Sequence, residues 1–229
     1  MKLPLLLSVP HAGLLIPPQV LDTCLLENKD IVADSDEGAA EIYLPLKNQV
    51  MSFVTTDVAR AVVDMNRRED DFRKDGVVKT HTCWDVPIYR EPLPEETAYT
   101  LIEMYHRPYH DELERTAKGA VLGVDCHTMV AQGPPVGPDP GEERPSVCLS
   151  NADGTCPEDW LHRLADCFQR AFKLPISINK PFKGGYIIHK HSSEIPWIQV
   201  ELSRAPFMTL EEKSELVFQA LQNWCTKIE

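Results

Sequence analysis

The stretch Leu5-Leu6-Leu7-Ser8-Val9-Pro10-His11-Ala12-Gly13 sets the reading of the whole chain. Its apolar run predicts a buried strand. The strand stops at Pro10, which has no N–H for a sheet ladder, and Gly13 lets the backbone turn sharply. In open α/β sheets ligands bind beyond the carboxyl ends of the strands, and His11 falls at such an end. A single histidine in a turn would mean little, but the pattern recurs. Val121-Leu122-Gly123-Val124-Asp125-Cys126 runs into His127, and Trp197-Ile198-Gln199-Val200 runs into Glu201. Two histidines and a carboxylate at the ends of three predicted strands are the ligand and base types of a zinc hydrolase.

Composition narrows the field. A chain of 229 residues suits one domain with a sizeable core, and we expect residues 1–229 to form a single one. The hydrophobic share of 43% and charged share of 25% are those of an ordinary globular protein. A formal net charge of -12 argues against nucleic acid, which needs a basic face. An anionic substrate would then require a local cluster of arginines. The 7 cysteines form no Cys-x-x-Cys pair, which predicts reduced thiols and a cytoplasmic location. The apolar run at the N-terminus is too short for a signal peptide or a membrane span, and no other stretch is long enough to cross a bilayer.

Outward from the opening strand, the spacing predicts a short helix within 17–28, then a helix from Ala39 that Pro45 kinks. Val50 to Thr55 reads as a strand, and Arg60-Ala61-Val62-Val63 as a short strand giving way to a polar, basic end. Residues 69–96 are charged and Pro-rich, and read as a surface excursion near the site. Ala98, Ile102, Tyr105, Tyr109 and Leu113 share one helical face, bent at Pro108. The Gly/Pro-rich segment 132–141 is a lid or a plain exposed loop. Ser146 to Leu149, Ile176 to Asn179 and Tyr186 to His189 read as strands, and Pro157 to Phe172 as an amphipathic helix. Thr209-Leu210-Glu211-Glu212 is a capping box that starts the last helix. Strands alternating with helices predict an α/β fold: one mixed central sheet with helices on both faces.

A catalytic zinc takes three protein ligands as a rule, leaving one position for water. His11 and His127 supply two. The third is a carboxylate from the acidic segment, with Asp36 preferred and Glu37 and Glu41 as alternatives, although acids in this segment would also suit a helix N-terminus. Cys126 neighbours His127 on a strand, so the two point to opposite faces and form no dyad. Arg60 precedes an apolar run and is a candidate for stabilising an oxyanion, while Arg68 and Arg73 fit surface charge. Asn66 and Arg67 follow at a strand end, and a guanidinium binds carboxylates through a two-pronged fork. Glu201 is either a general base or the partner of a buried arginine. His189 and His191, on one predicted strand face, read as site-lining or surface residues.

These motifs together resemble the N-formylglutamate amidohydrolase family. The resemblance rests on Ser8-Val9-Pro10-His11-Ala12-Gly13, Asp36-Glu37-Gly38-Ala39 and Asp64-Met65-Asn66-Arg67. It continues through Tyr105-His106-Arg107-Pro108-Tyr109-His110, Val124-Asp125-Cys126-His127-Thr128, Asn179 to Ile187 and Gln199-Val200-Glu201-Leu202-Ser203-Arg204. The family is similar to zinc carboxypeptidases and aspartoacylase-like deacylases, so the resemblance implies a Zn-exopeptidase (phosphorylase/hydrolase-like) α/β fold. It also implies zinc held by His11, Asp36 and His127, a substrate carboxylate bound by Asn66 and Arg67, and Glu201 as base. The matching motifs add Tyr186 and Arg204 as substrate contacts.

The expectation is therefore a zinc-dependent amidohydrolase acting on the linear amide of an acidic N-acyl amino acid such as N-formylglutamate. Glu201 and Arg60 would be its catalytic residues, and neither nucleic acid nor membrane its partner. The rival readings are a zinc peptidase or cell-wall amidase on the same scaffold, and a metal- or ligand-binding relative without turnover.

Overall fold

A computed structural model describes residues 2–226. Among these residues six strands form one sheet in the order β2-β1-β3-β6-β4-β5. Strands β1 (Leu3–Val9), β2 (Val50–Thr55), β3 (Leu122–Met129) and β6 (Trp197–Ser203) are mutually parallel where they pair. Strand β4 (Val147–Ser150) runs antiparallel to β6 and parallel to the short β5 (Ser177–Ile178). The sheet is mixed, as the sequence predicts.

Strand alternation divides the molecule into two cores. Leu5, Leu7, Val9, Val124, Cys126, Ile198, Val200 and Leu202 face one side. There they pack with buried residues of α2 (Ala39–Tyr43), α5 (Glu158–Phe172) and α7 (Leu210–Cys225). Leu6 and Trp197 face the other side, against α3 (Glu95–Leu101), α4 (Arg107–Ala117) and α6 (Tyr186–His191). Helices thus cover both faces. Gly123 is needed on the second face, because a Cβ there would sit 2.2 Å from the Trp197 indole. Cys126 is buried in the first core, on the opposite face from His127.

Several elements differ from the sequence expectation. The histidine and the glutamate are not the last residues of their strands: β3 and β6 continue to Met129 and Ser203, and His127 pairs in register with Glu201. Residues 60–63 are turn, not strand, apart from an isolated bridge between Val63 and Val78. Tyr186 to His191 is a helix, so His189 and His191 share no strand face; His189 is exposed and His191 buried. The segment 17–28 makes only a 3-10 turn at Pro18–Val20, and α1 follows at Asn28–Asp34. Beyond α2 the chain tightens into a 3-10 turn at Leu44–Asn48, with Pro45 near its start. At the bend before Pro108 the helix widens into a π turn, Ile102–His106, where Arg107 N–H bonds the carbonyl of Ile102. Residues 69–96 run over the surface but also bury Val77 and Ile88 in the second core.

The predicted capping box is present. Thr209 Oγ1 accepts from Glu212 N–H at 3.1 Å, and Glu212 Oε2 accepts from Thr209 N–H at 2.8 Å. One turn on, the buried Lys213 ammonium donates to the carbonyls of Ser203 at 2.7 Å and Ala205 at 3.2 Å, and so fastens α7 to the end of β6. No helix among the described residues is long and apolar enough to cross a membrane.

Candidate active site

The site lies on the second face, just past β1 and over the carboxyl-terminal halves of β3 and β6. The period of two that buries Val124, Cys126 and Val200 in the first core turns Asp125, His127, Gln199 and Glu201 the other way. His11 sits two residues beyond β1. Asp36 lies between α1 and α2, and its N–H donates to the carbonyl of His11 at 3.0 Å. His11, Asp36 and His127 are all buried, and one potential ligand atom from each lies within 4.8 Å of the others. The acidic segment therefore contributes Asp36, while Glu37 and Glu41 are not in the cluster.

Two carboxylates behind the histidines decide which ring nitrogens face Asp36. His11 Nε2 is 2.8 Å from Asp64 Oδ1, and His127 Nε2 is 2.8 Å from Asp125 Oδ2. A carboxylate only accepts, so each Nε2 donates and each neutral ring keeps a bare Nδ1. His127 Nδ1 lies 2.9 Å from Asp36 Oδ2, and His11 Nδ1 lies 3.6 Å from the same oxygen. His11 Nδ1 is buried and has no hydrogen-bond partner among the described residues. Two lone pairs and a carboxylate oxygen converging in this way, each histidine backed by a second carboxylate, form a donor set suited to a metal ion. Burial works against positive charge at His127, but Asp125 overrides it and pulls the imidazole well above its usual range, so this carboxylate cluster favours a cation at Nδ1, whether a proton or a metal ion. Burial likewise opposes ionisation of Asp36 and Asp64, yet the neighbouring His11 imidazole keeps both carboxyls well below theirs.

Arg60 lines the cavity and is tied down on one side, Nε to Asp64 Oδ2 at 3.2 Å and Nη1 to Asp36 Oδ1 at 3.4 Å. It is not the surface counter-charge that Arg68 and Arg73 are, which pair with Asp70 and Asp71 in exposed positions. Glu201 is buried, and its Oε1 accepts from Gln199 Nε2 at 2.9 Å. Among the described residues it has no ion pair with Arg60 or Arg204, whose carboxylate partners are Asp36 and Asp64. Burial holds the Glu201 carboxyl up at about 7.

Asn66 is turned inward. Its Nδ2 lies 3.2 Å from Asp125 Oδ2 and 3.3 Å from His127 Nε2, and its Oδ1 accepts from Ile187 N–H at 2.8 Å. Gly185 packs against this amide so closely that a Cβ would stand 2.2 Å from Asn66 Nδ2. Arg67 lines the cavity, steered by bonds from Nε to the Asp75 carbonyl at 3.0 Å and from Nη1 to the Asn66 carbonyl at 3.2 Å. Arg204 also lines it, bonded to Thr128 Oγ1 at 3.1 Å and to the Ser35 carbonyl. Tyr186 is not among the lining residues; its ring packs on His106 and His110 behind the wall.

The cavity has a volume of about 640 Å³. Arg60, Arg67, Lys79, Arg144, Lys183 and Arg204 line it together with Asp34, Asp36, Asp75 and Glu201, a positive balance in a chain of formal net charge -12. The segment 132–141 walls one side through Pro134, Val136, Gly137 and Pro138, and Val136 N–H bonds the Cys83 carbonyl at 3.1 Å. Another wall carries a buried ion pair, Lys79 to Asp34 at 2.7 Å. The sequence expectation places none of Asp64, Asp125, Gln199 and this pair in the site. Asp125 and Gln199 could have been found two residues before His127 and Glu201 on the same strand face. Asp64 and Lys79 reach the site only through the fold.

Two curated N-formylglutamate deformylases are similar to the chain. The one from Pseudomonas putida is 27% identical over 224 residues, covering 90% of this chain and 82% of its own. The one from Pseudomonas aeruginosa is 28% identical over 236 residues, covering 96% and 86%. Among solved structures, an N-formylglutamate amidohydrolase from Ralstonia eutropha JMP134 superposes with a TM-score of 0.76. It is 20% identical, with 99% of this chain and 93% of that one covered, which shows a shared fold. A gene product of Agrobacterium tumefaciens superposes equally well, at 16% identity over 100% of this chain and 91% of its own. The sequence model of the N-formylglutamate amidohydrolase family matches residues 3–208, and the chain belongs to that family.

Proposed function

We propose that the protein is a zinc-dependent amidohydrolase that cleaves the linear amide of an N-acyl acidic amino acid, N-formylglutamate or a close relative. The observation that carries this reading is the convergence of His11 Nδ1, His127 Nδ1 and Asp36 Oδ2, with Glu201 in register beside His127. His11, Asp36 and His127 would hold the metal. When bound, zinc supplies Lewis acidity, polarising a carbonyl and making water acidic near neutral pH.

The remaining steps belong to the chain's own groups. Glu201 accepts the proton of the attacking water and passes it to the departing amine. Burial favours this role, because a carboxyl held near neutrality exchanges a proton readily in both directions. Gln199 fixes one carboxylate oxygen of Glu201 while its own Oε1 accepts from Gly185 N–H at 2.7 Å, so the base and the 181–185 wall are held together. Arg60 keeps unused N–H donors beside the site and stabilises the oxyanion that develops on the carbonyl. Arg67 grips the substrate carboxylate, and Arg204 adds positive charge beside Asp36. Asn66 fixes Asp125, and through it the His127 ring, together with the start of α6, and does not itself present a free amide to substrate.

The test is hydrolysis of N-formyl-, N-acetyl- and N-succinyl-glutamate and the matching aspartates by zinc-loaded protein, followed by release of the free amine. The reading predicts turnover of at least one glutamate derivative and its loss on chelation. Zinc-loaded protein that cleaves none of the six would contradict it.

A further inference from the structure

The motif Tyr105-His106-Arg107-Pro108-Tyr109-His110 has no part in the chemistry above, yet it puts two fully buried imidazoles directly behind Asn66 and Arg67. His106 Nε2 is 2.8 Å from the Arg67 carbonyl, and His110 Nε2 is 3.0 Å from the Met65 carbonyl. Carbonyls only accept, so both nitrogens donate. The two rings lie 4.4 Å apart between centroids and hold the peptide carbonyls on either side of Asn66. Behind them His110 Nδ1 meets His191 Nε2 at 2.9 Å, and His191 Nδ1 meets Glu194 Oε2 at 2.7 Å. The π turn Ile102–His106 ends at His106, one residue before α4 begins at Arg107. Such turns widen a helix locally and are frequent at functional sites.

We infer that His106 and His110 are positioning residues: they clamp the backbone of residues 65–67 so that Arg67 presents its guanidinium to the substrate carboxylate. This rests on the proposed function only for the identity of what Arg67 binds. Arg67 is aimed from its own stretch of backbone: its bonds run to the carbonyls of Asn66 and Asp75, with a longer ion pair to Asp75 Oδ2 at 3.8 Å, so a swing of the 66–67 peptide moves the fork. Asn66 is pinned at its side chain, and the histidines pin the main chain on both sides of it. His106 isolates the effect well, because among the described residues its Nδ1 has no partner and its side chain makes one hydrogen bond, from Nε2 to the Arg67 carbonyl. His106→Phe removes that bond and keeps an aromatic ring against His110 and Tyr186. His106→Gln can restore a donor at the same reach.

The experiment compares wild type, His106→Phe and His106→Gln in zinc-loaded form. It measures steady-state kinetics on N-formylglutamate and on its carboxamide-capped analogue, and the hydrogen exchange of the Arg67 Nε–H by nitrogen-15 NMR, assigned with Arg67→Lys. The clamp predicts a KM for the free acid raised about tenfold in His106→Phe, with kcat within about threefold of wild type and the preference for free over capped substrate falling. Arg67 Nε–H exchange should speed up, and His106→Gln should recover most of each effect. Unchanged Arg67 exchange and unchanged preference, with or without a lower melting temperature, would overturn the clamp. If His106→Phe does not fold, His106→Gln and His106→Asn carry the same comparison, since a shorter side chain cannot reach the carbonyl. Failure of wild type to cleave the free acid would count against the proposed function instead, and the NMR exchange would still decide the clamp.

Discussion

His11 and Asp64 meet Nε2 to Oδ1 at 2.8 Å, and this contact leaves Nδ1 of the ring bare, buried and directed at Asp36. Asp64 is itself held by Asn66 N–H at 2.9 Å and by Arg60 at 3.2 Å. A ligand histidine whose far nitrogen is fixed by a carboxylate keeps its orientation and tautomer. Asp64→Asn removes the carboxylate that fixes the tautomer and should weaken metal affinity by about ten- to a hundredfold. Competition titration against a chelator checks this. Affinity unchanged within twofold would show that the second carboxylate does not tune the ligand.

Arg67→Lys keeps the charge and loses the planar fork. KM for an N-acyl glutamate should rise by roughly tenfold or more, because a single ammonium replaces a two-pronged grip. Capping the substrate carboxylate as an amide should impose a similar loss on the wild type and little further loss on the variant. Equal cleavage of free and capped substrate by the wild type would assign Arg67 another role.

Gly185→Ala drives a methyl group to within 2.2 Å of Asn66 Nδ2. The Asn66 amide must then yield, and with it the contacts to Asp125, His127 and Ile187. A misplaced catalytic constellation commonly costs about a hundredfold, and we expect at least that loss in kcat/KM for the amide substrate. Full activity in a folded Gly185→Ala protein would contradict the close packing of this wall.

Stability should fall on the acid side. Burial pushes the His110 imidazole down to about 2, and the neighbouring His106 adds to the effect; burial also lowers His106 itself, against the pull of the Arg67 carbonyl. Depressed values mean that the unfolded chain takes up protons below about 6.5 that the folded chain refuses. The stability from these neutral rings is therefore full above about pH 6.5 and is lost as pH falls toward 2. Each refused proton costs on the order of 1.4 kcal/mol per pH unit, and each kcal/mol is about 2–4 °C of Tm for a chain of this size. Glu201, held up at about 7, takes up a proton over the same range and offsets part of this loss, so the test is the comparison: between pH 6 and pH 5 Tm should fall by a few degrees more in the wild type than in His110→Gln. Equal pH dependence of Tm in the two proteins would contradict neutral burial.

Much of the site was legible in the sequence because strands impose a period of two. Apolar runs ending near His11, His127 and Glu201 gave the sheet its direction, and parity separated Cys126 from His127. The parallel core strands, the last helix and its Thr209–Glu212 box follow from local patterns that the fold does not override. Tyr186 to His191 did not, because a short apolar run with Ile187 and Ile188 reads equally as strand or helix. Arg60 to Val63 misled for the same reason: its apolar residues are buried by packing in the second core, without a ladder. The carboxylate Asp64 and the pair Lys79–Asp34 are brought in by irregular backbone, which carries no period to read. His106 and His110 do carry a signal, an i, i+4 spacing that puts both on one helical face, but the carbonyls they hold are about 40 residues away in the chain.

The central claim is that a metal held by His11, Asp36 and His127 works with Glu201 as the proton carrier. The most direct measurement is kcat of Glu201→Gln on the preferred N-acyl glutamate, with zinc content and Tm determined on the same sample. The amide keeps the shape of the carboxylate and its contact with Gln199, but cannot take a proton. General acid–base catalysis contributes about a hundred- to ten-thousandfold, so the account predicts a folded, zinc-loaded protein with kcat reduced by that amount. Near wild-type turnover in a folded, zinc-loaded Glu201→Gln protein would contradict it.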